Sequence, residues 1–117
     1  MKPRPATAMA AGALFLTAAA AVAQSQLSIS ILGTERVADR FTYVLFAVEN
    51  KSDQRFEATR WSCVFVSGSR PVFEQESIIE NVVPRGRTVS RIVQGYGGPF
   101  DRIDCRLMST RPASCPC

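Results

Sequence analysis

The chain has 117 residues, a net charge of +4 and no histidine. This length is enough for one small domain with a modest core, and the small net charge gives no reason to expect nucleic acid as a partner. The lack of histidine excludes Ser-His-Asp and Cys-His nucleophiles and His-ligated zinc or copper sites, and it removes the commonest proton carrier at neutral pH. We therefore expect a protein that is not an enzyme and needs no metal or cofactor.

Residues 1–23 have the pattern of a secretory signal peptide. A short basic start is followed by an apolar run from Ala8 to Ala21, and Ala21-Val22-Ala23 supplies the small residues that precede a signal-peptidase cleavage site. Cleavage would leave Gln24 as the first residue of a mature chain in which no further apolar segment has the length of a membrane span. The sequence therefore predicts a cleaved signal peptide and a bacterial protein that is periplasmic or secreted.

Apolar and polar residues alternate with a period of two after this leader, which is typical of β-strands. Leu27, Ile29 and Ile31 share one face of a first strand, with serines on the other face. The stretch from Phe41 to Glu49 is apolar on both faces and rich in aromatic and β-branched residues, which indicates a central strand. The first strand is thus expected to pack against the core with its Leu27, Ile29 and Ile31 face, and its serine face is expected to lie at the surface.

The next two segments continue the alternation. A long strand places Trp61, Cys63 and Phe65 on one face. A strand from Val72 to Val82 follows, and its alternation slips at Ile78-Ile79, which predicts a bend or a bulge at that point.

Two short strands complete the predicted domain. Thr88–Val93 is β-branched, and Arg102–Met108 places Cys105 in the middle of an apolar face. Six or seven short strands with frequent turns and no helical period predict an all-β domain over residues 24–108, either a small antiparallel β-sandwich or a small barrel.

Three blocks of the chain have the pattern of strands joined by tight turns: AVENKSDQRFEATRWSCVFVSG, IIENVVPRGRTVSRIV and FDRIDCRL. Together they resemble the FxLYD-type family of small secreted bacterial domains, over a range from about Ser30 to Leu107. The resemblance implies an immunoglobulin-like β-sandwich. Because the family shares no catalytic residues, the resemblance implies no active site for this chain.

The chain has four cysteines, an even number that is typical of disulfide-bonded exported proteins. Cys63 and Cys105 each lie in the middle of a strand between apolar neighbours on the same face, so both are expected to point into the core. We predict one core disulfide that joins them across the two sheets, with Trp61 packed beside it. The alternative is a pair of buried free thiols that act as small apolar residues.

Cys115 and Cys117 lie in a tail, residues 109–117, that is predicted to be flexible and outside the sandwich because the alternation stops at Met108. These candidate redox or intermolecular thiols have four interpretations: a local disulfide or inert tail, a disulfide to a partner chain, a soft-metal site, or another redox use. The sequence leaves these alternatives open.

Two stretches are candidate contact surfaces. Tyr96 and Phe100 belong to a glycine-rich loop that is expected to expose them for binding. Arg85, Arg87 and Arg91 form a candidate basic patch around a turn, which would suit an anionic envelope polymer or an acidic partner.

These features favour an exported, non-enzymatic interaction or structural module of the cell envelope that binds a protein or another envelope component. One alternative is a periplasmic thiol or soft-metal protein that acts through Cys115 and Cys117. Another is an inhibitor that inserts the loop Gln94–Pro99 into the cleft of a secreted hydrolase. Each alternative keeps the predicted sandwich and assigns the function to a different segment.

Overall fold

A computed structural model of the protein describes residues 26–114, and in that range the chain is all-β. The prediction of a small antiparallel β-sandwich is confirmed. The described residues contain no helix long and apolar enough to cross a membrane. The strands are β1 Leu27–Val37, β2 Phe41–Asn50, β3 Phe56–Ser67, β4 Arg70–Val82, β5 Gly86–Gln94 and β6 Arg102–Pro112.

The strands form two antiparallel sheets of three strands each. The first sheet has the order β1-β2-β5 and the second has the order β4-β3-β6. The central strands are therefore β2 and β3, the two segments with the most aromatic and β-branched residues. The prediction that Phe41–Glu49 forms a central strand is confirmed.

One core lies between the two sheets. Val44, Phe46 and Val48 of β2 are fully buried, and they face Trp61 and Phe65 of β3 and other apolar side chains. The indole N–H of Trp61 donates a hydrogen bond of 2.8 Å to Thr59 Oγ1, so the largest polar donor of the core has a partner. Burial of each large side chain contributes about 1.5–3 kcal/mol to folding.

Strand β1 carries its apolar residues inward, as the sequence predicted. Leu27 is buried, and Ile29 and Ile31 pack against the core. A bulge follows, since Ile31 pairs with Phe46 while Gly33 pairs with the adjacent Leu45. The extra residue, Leu32, is 47% exposed, which the sequence alone did not indicate.

The predicted bulge at Ile78-Ile79 is wrong. The register between β3 and β4 is continuous there, with Ile79 fully buried and Ile78 48% exposed. The alternation of apolar and polar residues slips in the sequence because Ile78, an apolar residue, occupies an outward position. The irregularity of β4 lies instead near Val72, opposite Phe65 and Val66.

The disulfide between Cys63 and Cys105 is confirmed, but its predicted position across the two sheets is wrong. The two cysteines are directly opposite each other on β3 and β6, neighbouring strands of the second sheet, with their Cα atoms 4.0 Å apart. Both were correctly expected to face the core. Alternation with a period of two predicts which face of its strand a residue lies on. It does not predict whether the partner of that residue lies on a neighbouring strand of the same sheet or on the facing sheet.

Strand β6 also extends further than predicted. Its pairing with β3 continues to Pro112, opposite Phe56, so residues 109–112 belong to the second sheet and not to a tail. The backbone of Ala113 donates a further hydrogen bond of 3.0 Å to the carbonyl of Arg55. The backbone of the first half of β3 pairs with residues 109–112. This extension was not predicted from the sequence because backbone pairing needs no apolar side chains.

Candidate binding surfaces

The outer side of the first sheet carries an apolar surface. We call it the outer apolar face and define it by five apolar residues and one arginine, which alternate along β2 and β5 with residues that are more buried. Val89 is 49% exposed and Val93 is 47% exposed, and they pair with Ala47 and Tyr43 of β2. The residues of the face are Phe41, Tyr43, Leu45, Val89, Arg91 and Val93.

Aromatic contacts order one end of this face. The rings of Phe41 and Tyr43 lie edge to face, with centroids 5.4 Å apart. The guanidinium of Arg91 lies over the Tyr43 ring, 3.7 Å from its centroid, which is the geometry of a cation–π contact. Arg91 also pairs with Glu35 at 3.4 Å. Tyr43 is therefore held in place before any partner binds.

The predicted basic patch is not a patch of free positive charge. Each of its three arginines pairs with a carboxylate of another strand or turn, so the charges largely cancel. A sequence pattern does not show which carboxylates a sheet brings beside an arginine. The pairs are Arg85 with Asp53 at 2.6 Å, Arg87 with Glu49 at 2.8 Å and Arg91 with Glu35 at 3.4 Å.

Arg85 joins two turns at one end of the sandwich. Its backbone N–H donates to the carbonyl of Ser52 at 3.0 Å, and its own φ is 51°, which is unusual for a residue other than glycine. The hydrogen bond and charge of Arg85 lower the pKa of the Asp53 carboxyl below its ordinary value. The ion pair is therefore formed at neutral pH, and its contribution is lost as the pH falls through that lowered pKa.

The prediction that the glycine-rich loop exposes Tyr96 and Phe100 is wrong. Both rings turn inward and pack against the core. Phe65 contacts Phe100 with centroids 4.8 Å apart and Tyr96 with centroids 5.5 Å apart. Tyr96 also stacks on Phe73 at 5.4 Å. The Tyr96 ring is therefore not a free side chain at the tip of the loop.

Polar contacts fix the backbone of the same loop. Thr42 donates its hydroxyl to the carbonyl of Tyr96 at 2.6 Å, and Arg36 donates to the carbonyl of Gly97 at 2.9 Å. The Tyr96 hydroxyl donates to the carbonyl of Pro99 at 2.9 Å. The loop is therefore part of the folded scaffold.

Gly97 allows this close approach, and replacing it should destabilise the domain. A Cβ atom at Gly97 would overlap with the backbone of Asp39 and Arg40 in the turn between β1 and β2. We expect Gly97→Ala to lower the free energy of unfolding by about 1–3 kcal/mol, measured by urea denaturation. Gly95→Ala is the matched control, because a Cβ there makes ordinary contacts of 3.6 and 3.7 Å. Equal stability of the two variants would contradict this role for Gly97.

No group of three or more Cys, Asp or Glu residues that could hold a metal ion occurs within the residues that the structure describes. Cys115 and Cys117 lie outside the described residues, as do the predicted signal peptide and its cleavage site. The four interpretations of the two tail thiols therefore stay predictions.

Sequence reasoning missed the outer apolar face. The signal was present, because Phe41–Glu49 is apolar on both faces, and this was explained by a central position alone. The strand is central in a sheet of three, but only its inner side is covered by the other sheet. Alternation along β5 places Val89 and Val93 on the same outer side.

No family model, no curated protein and no solved structure matches the chain. The fold and these surfaces define a small disulfide-bonded β-sandwich whose first sheet has an apolar outer face.

Proposed function

We propose that the protein is an exported, non-enzymatic interaction module of the cell envelope, and that it binds a partner protein through the outer apolar face. The observation that carries the proposal is the arrangement of half-exposed Val89 and Val93 beside the ordered Tyr43–Arg91 pair. Tyrosine and arginine next to apolar side chains are typical of the central residues of protein interfaces. A contiguous exposed apolar surface on a small domain is itself a sign of an interaction site.

The charge pattern favours a protein over an anionic polymer. Arg91 within the face is paired with Glu35, and Arg87 beside it is paired with Glu49, so an anionic chain would meet little excess of positive charge. Paired charges beside apolar and aromatic side chains are compatible with a protein interface, in which aromatic residues and arginine are enriched.

Export is supported by two features of the chain. The Cys63–Cys105 disulfide is of a kind that persists in oxidising compartments and is rare in the cytosol. The basic start, apolar run and small residues of positions 1–23 have the pattern of a cleaved leader.

The experiment compares two substitutions of matched exposure on opposite outer sides of the sandwich. Val89→Glu places a charge in the outer apolar face, and Ile78→Glu places one on the second sheet, where Ile78 is 48% exposed. We expect a defined envelope protein to co-purify with the wild type and with Ile78→Glu. We expect its affinity for Val89→Glu to fall about tenfold or more, because burying an added carboxylate under an apolar partner surface is costly.

A partner that binds all three chains equally would show that the outer apolar face is not the site. The same preparation tests export, since the mass of the recovered chain should correspond to a mature protein that begins at Gln24. Recovery of the full chain from the cytosol with reduced cysteines would contradict export.

A further inference from the structure

The sandwich is closed along one side and open along the other. On the closed side the Gln94 side chain donates to Ser77 Oγ at 2.9 Å, and the Gln75 side chain donates to the carbonyl of Val93 at 3.1 Å, which links β4 to β5. On the opposite side β1 and β6 flank a groove of about 280 Å³. In the part of the chain that the structure describes, each of these two strands is paired along one edge only.

The walls of the groove combine aliphatic side chains with polar groups. Its aliphatic side chains are half-buried and pack against the core, so the groove leads to the interior of the sandwich. Its one ionisable lining residue is Asp104, which already pairs with Arg102 at 3.0 Å. The residues that line the groove are Ile29, Ser30, Ile31, Ile103, Asp104 and Cys105.

The residues of β1 whose apolar side chains point toward the core also direct their backbone N–H and C=O groups toward the groove. Lys51 donates its N–H to the carbonyl of Gln26 at 2.9 Å, so these opposed residues form a hydrogen-bonded pair. Hydrogen-bonded and non-hydrogen-bonded pairs alternate along an antiparallel ladder. Leu27, Ile29 and Ile31 therefore direct their N–H and C=O groups away from β2, toward the free edge.

The backbone of β6 faces the groove in the same way. Cys63 and Cys105 have a Cα separation of 4.0 Å, the close spacing of a non-hydrogen-bonded pair. The N–H and C=O of Cys105 therefore point away from β3 and toward the groove. Both walls thus combine apolar side chains with backbone donors and acceptors.

The first part of β1, Leu27–Ile31, is an edge segment with little protection against pairing. Exposed strand edges are normally protected by charged side chains, prolines or bulges. β4 carries Pro71 and three glutamates, and β6 carries Arg102, Asp104 and Arg106 along Arg102–Leu107. The stretch Leu27–Ile31 has none of these devices, and the bulge of β1 begins only after it.

We propose that the groove between β1 and β6 accepts an extended segment of a partner protein, which pairs with Leu27–Ile31 of β1 as an added strand. The segment would be uncharged, with apolar side chains at alternate positions that enter between the two sheets and cover Ile103 and Cys105. An extended strand is the ligand that can pair with a row of backbone groups and cover aliphatic side chains at the same time. This site goes beyond the proposed function and lies apart from the outer apolar face, so the two proposals succeed or fail separately.

The test uses a short blocked peptide in which Val alternates with Ser, and a control peptide with Pro in place of the central Val. We expect saturable binding of the first peptide only, together with slower amide exchange at Leu27, Ile29 and Ile31. Ile29→Pro removes a free-edge N–H that takes no part in the β1–β2 ladder, and edge strands tolerate proline at such positions. We expect it to weaken peptide binding about tenfold, since it leaves a peptide carbonyl without its donor.

Ile29→Ala is the matched control, because it shortens the side chain but keeps the N–H, and it should bind the peptide more tightly than Ile29→Pro. The near-ultraviolet circular dichroism of Trp61, the only tryptophan and a buried one, shows whether each variant is folded. Equal binding of the peptide by both variants, or no saturable binding to the folded wild type, would overturn the proposal. So would a wild-type dimer that Ile29→Pro makes monomeric, because the occupant would then be a second copy of the chain.

Discussion

Replacing Cys63 and Cys105 together by alanine should lower the free energy of unfolding by about 2–5 kcal/mol. The disulfide closes a loop with a sequence separation of 42 residues, for which the chain-entropy model gives about 4 kcal/mol. A domain of this size has a total stability on the order of 5–15 kcal/mol, so the loss would be a large fraction of it. Denaturant unfolding followed by Trp61 fluorescence measures the effect.

The background for this measurement is a chain with Cys115→Ala and Cys117→Ala, which prevents exchange between the core disulfide and the tail thiols. Adding a reductant to that background should lower its stability as much as the double substitution does. A loss below about 1 kcal/mol, or peptide mapping of the native chain that pairs Cys63 with a tail cysteine, would contradict this role of the disulfide.

Phe65→Ala should be the most damaging single substitution of an apolar side chain, with a loss of about 3–5 kcal/mol. Phe65 is fully buried, and its ring has edge-to-face contacts with Phe73, Tyr96 and Phe100. The substitution leaves a cavity and also removes the support of the glycine-rich loop. Urea denaturation gives the free energy of unfolding.

Phe41→Ala is the matched control for this prediction. Phe41 has the same side chain, but it lies on the outer apolar face and is only partly buried, with its ring contact to Tyr43. Its removal should cost clearly less than that of Phe65. Equal losses for the two variants would show that Phe65 does not have the central packing role that the structure gives it.

The strands could be predicted from the sequence because their side chains alternate with a period of two. Leu27, Ile29 and Ile31 face the core as expected, and so do Trp61 and Phe65. The pairing of Cys63 with Cys105 followed from their inward faces and from the even number of cysteines. What alternation could not give is the partner of each strand, since that depends on hydrogen bonds between segments distant in the chain.

The errors have related physical causes. Tyr96 and Phe100 were expected to be exposed because loops usually lie at the surface, but Gly97 lets this loop approach the backbone of the β1–β2 turn. Residues 109–112 show no apolar alternation, yet they pair with β3 because backbone groups, and not side chains, form that ladder. Pro112 is compatible with this because it lies at the last position of an edge strand.

The candidate surfaces were the least predictable part of the molecule. Arg87 and Arg91 appeared as a cluster in the sequence, but their partners Glu49 and Glu35 come from other strands. The outer apolar face likewise brings together residues of β2 and β5 that are far apart in the chain. Neither arrangement can be derived before the register of the first sheet is known.

The most direct test of binding through the outer apolar face is photo-crosslinking in living cells. A photoreactive amino acid replaces Val89 in one chain and Ile78 in another, and each chain is irradiated after export. We predict a discrete adduct with one envelope protein from position 89 and none from position 78. The same adducts from both positions, or none from position 89, would contradict the proposed function.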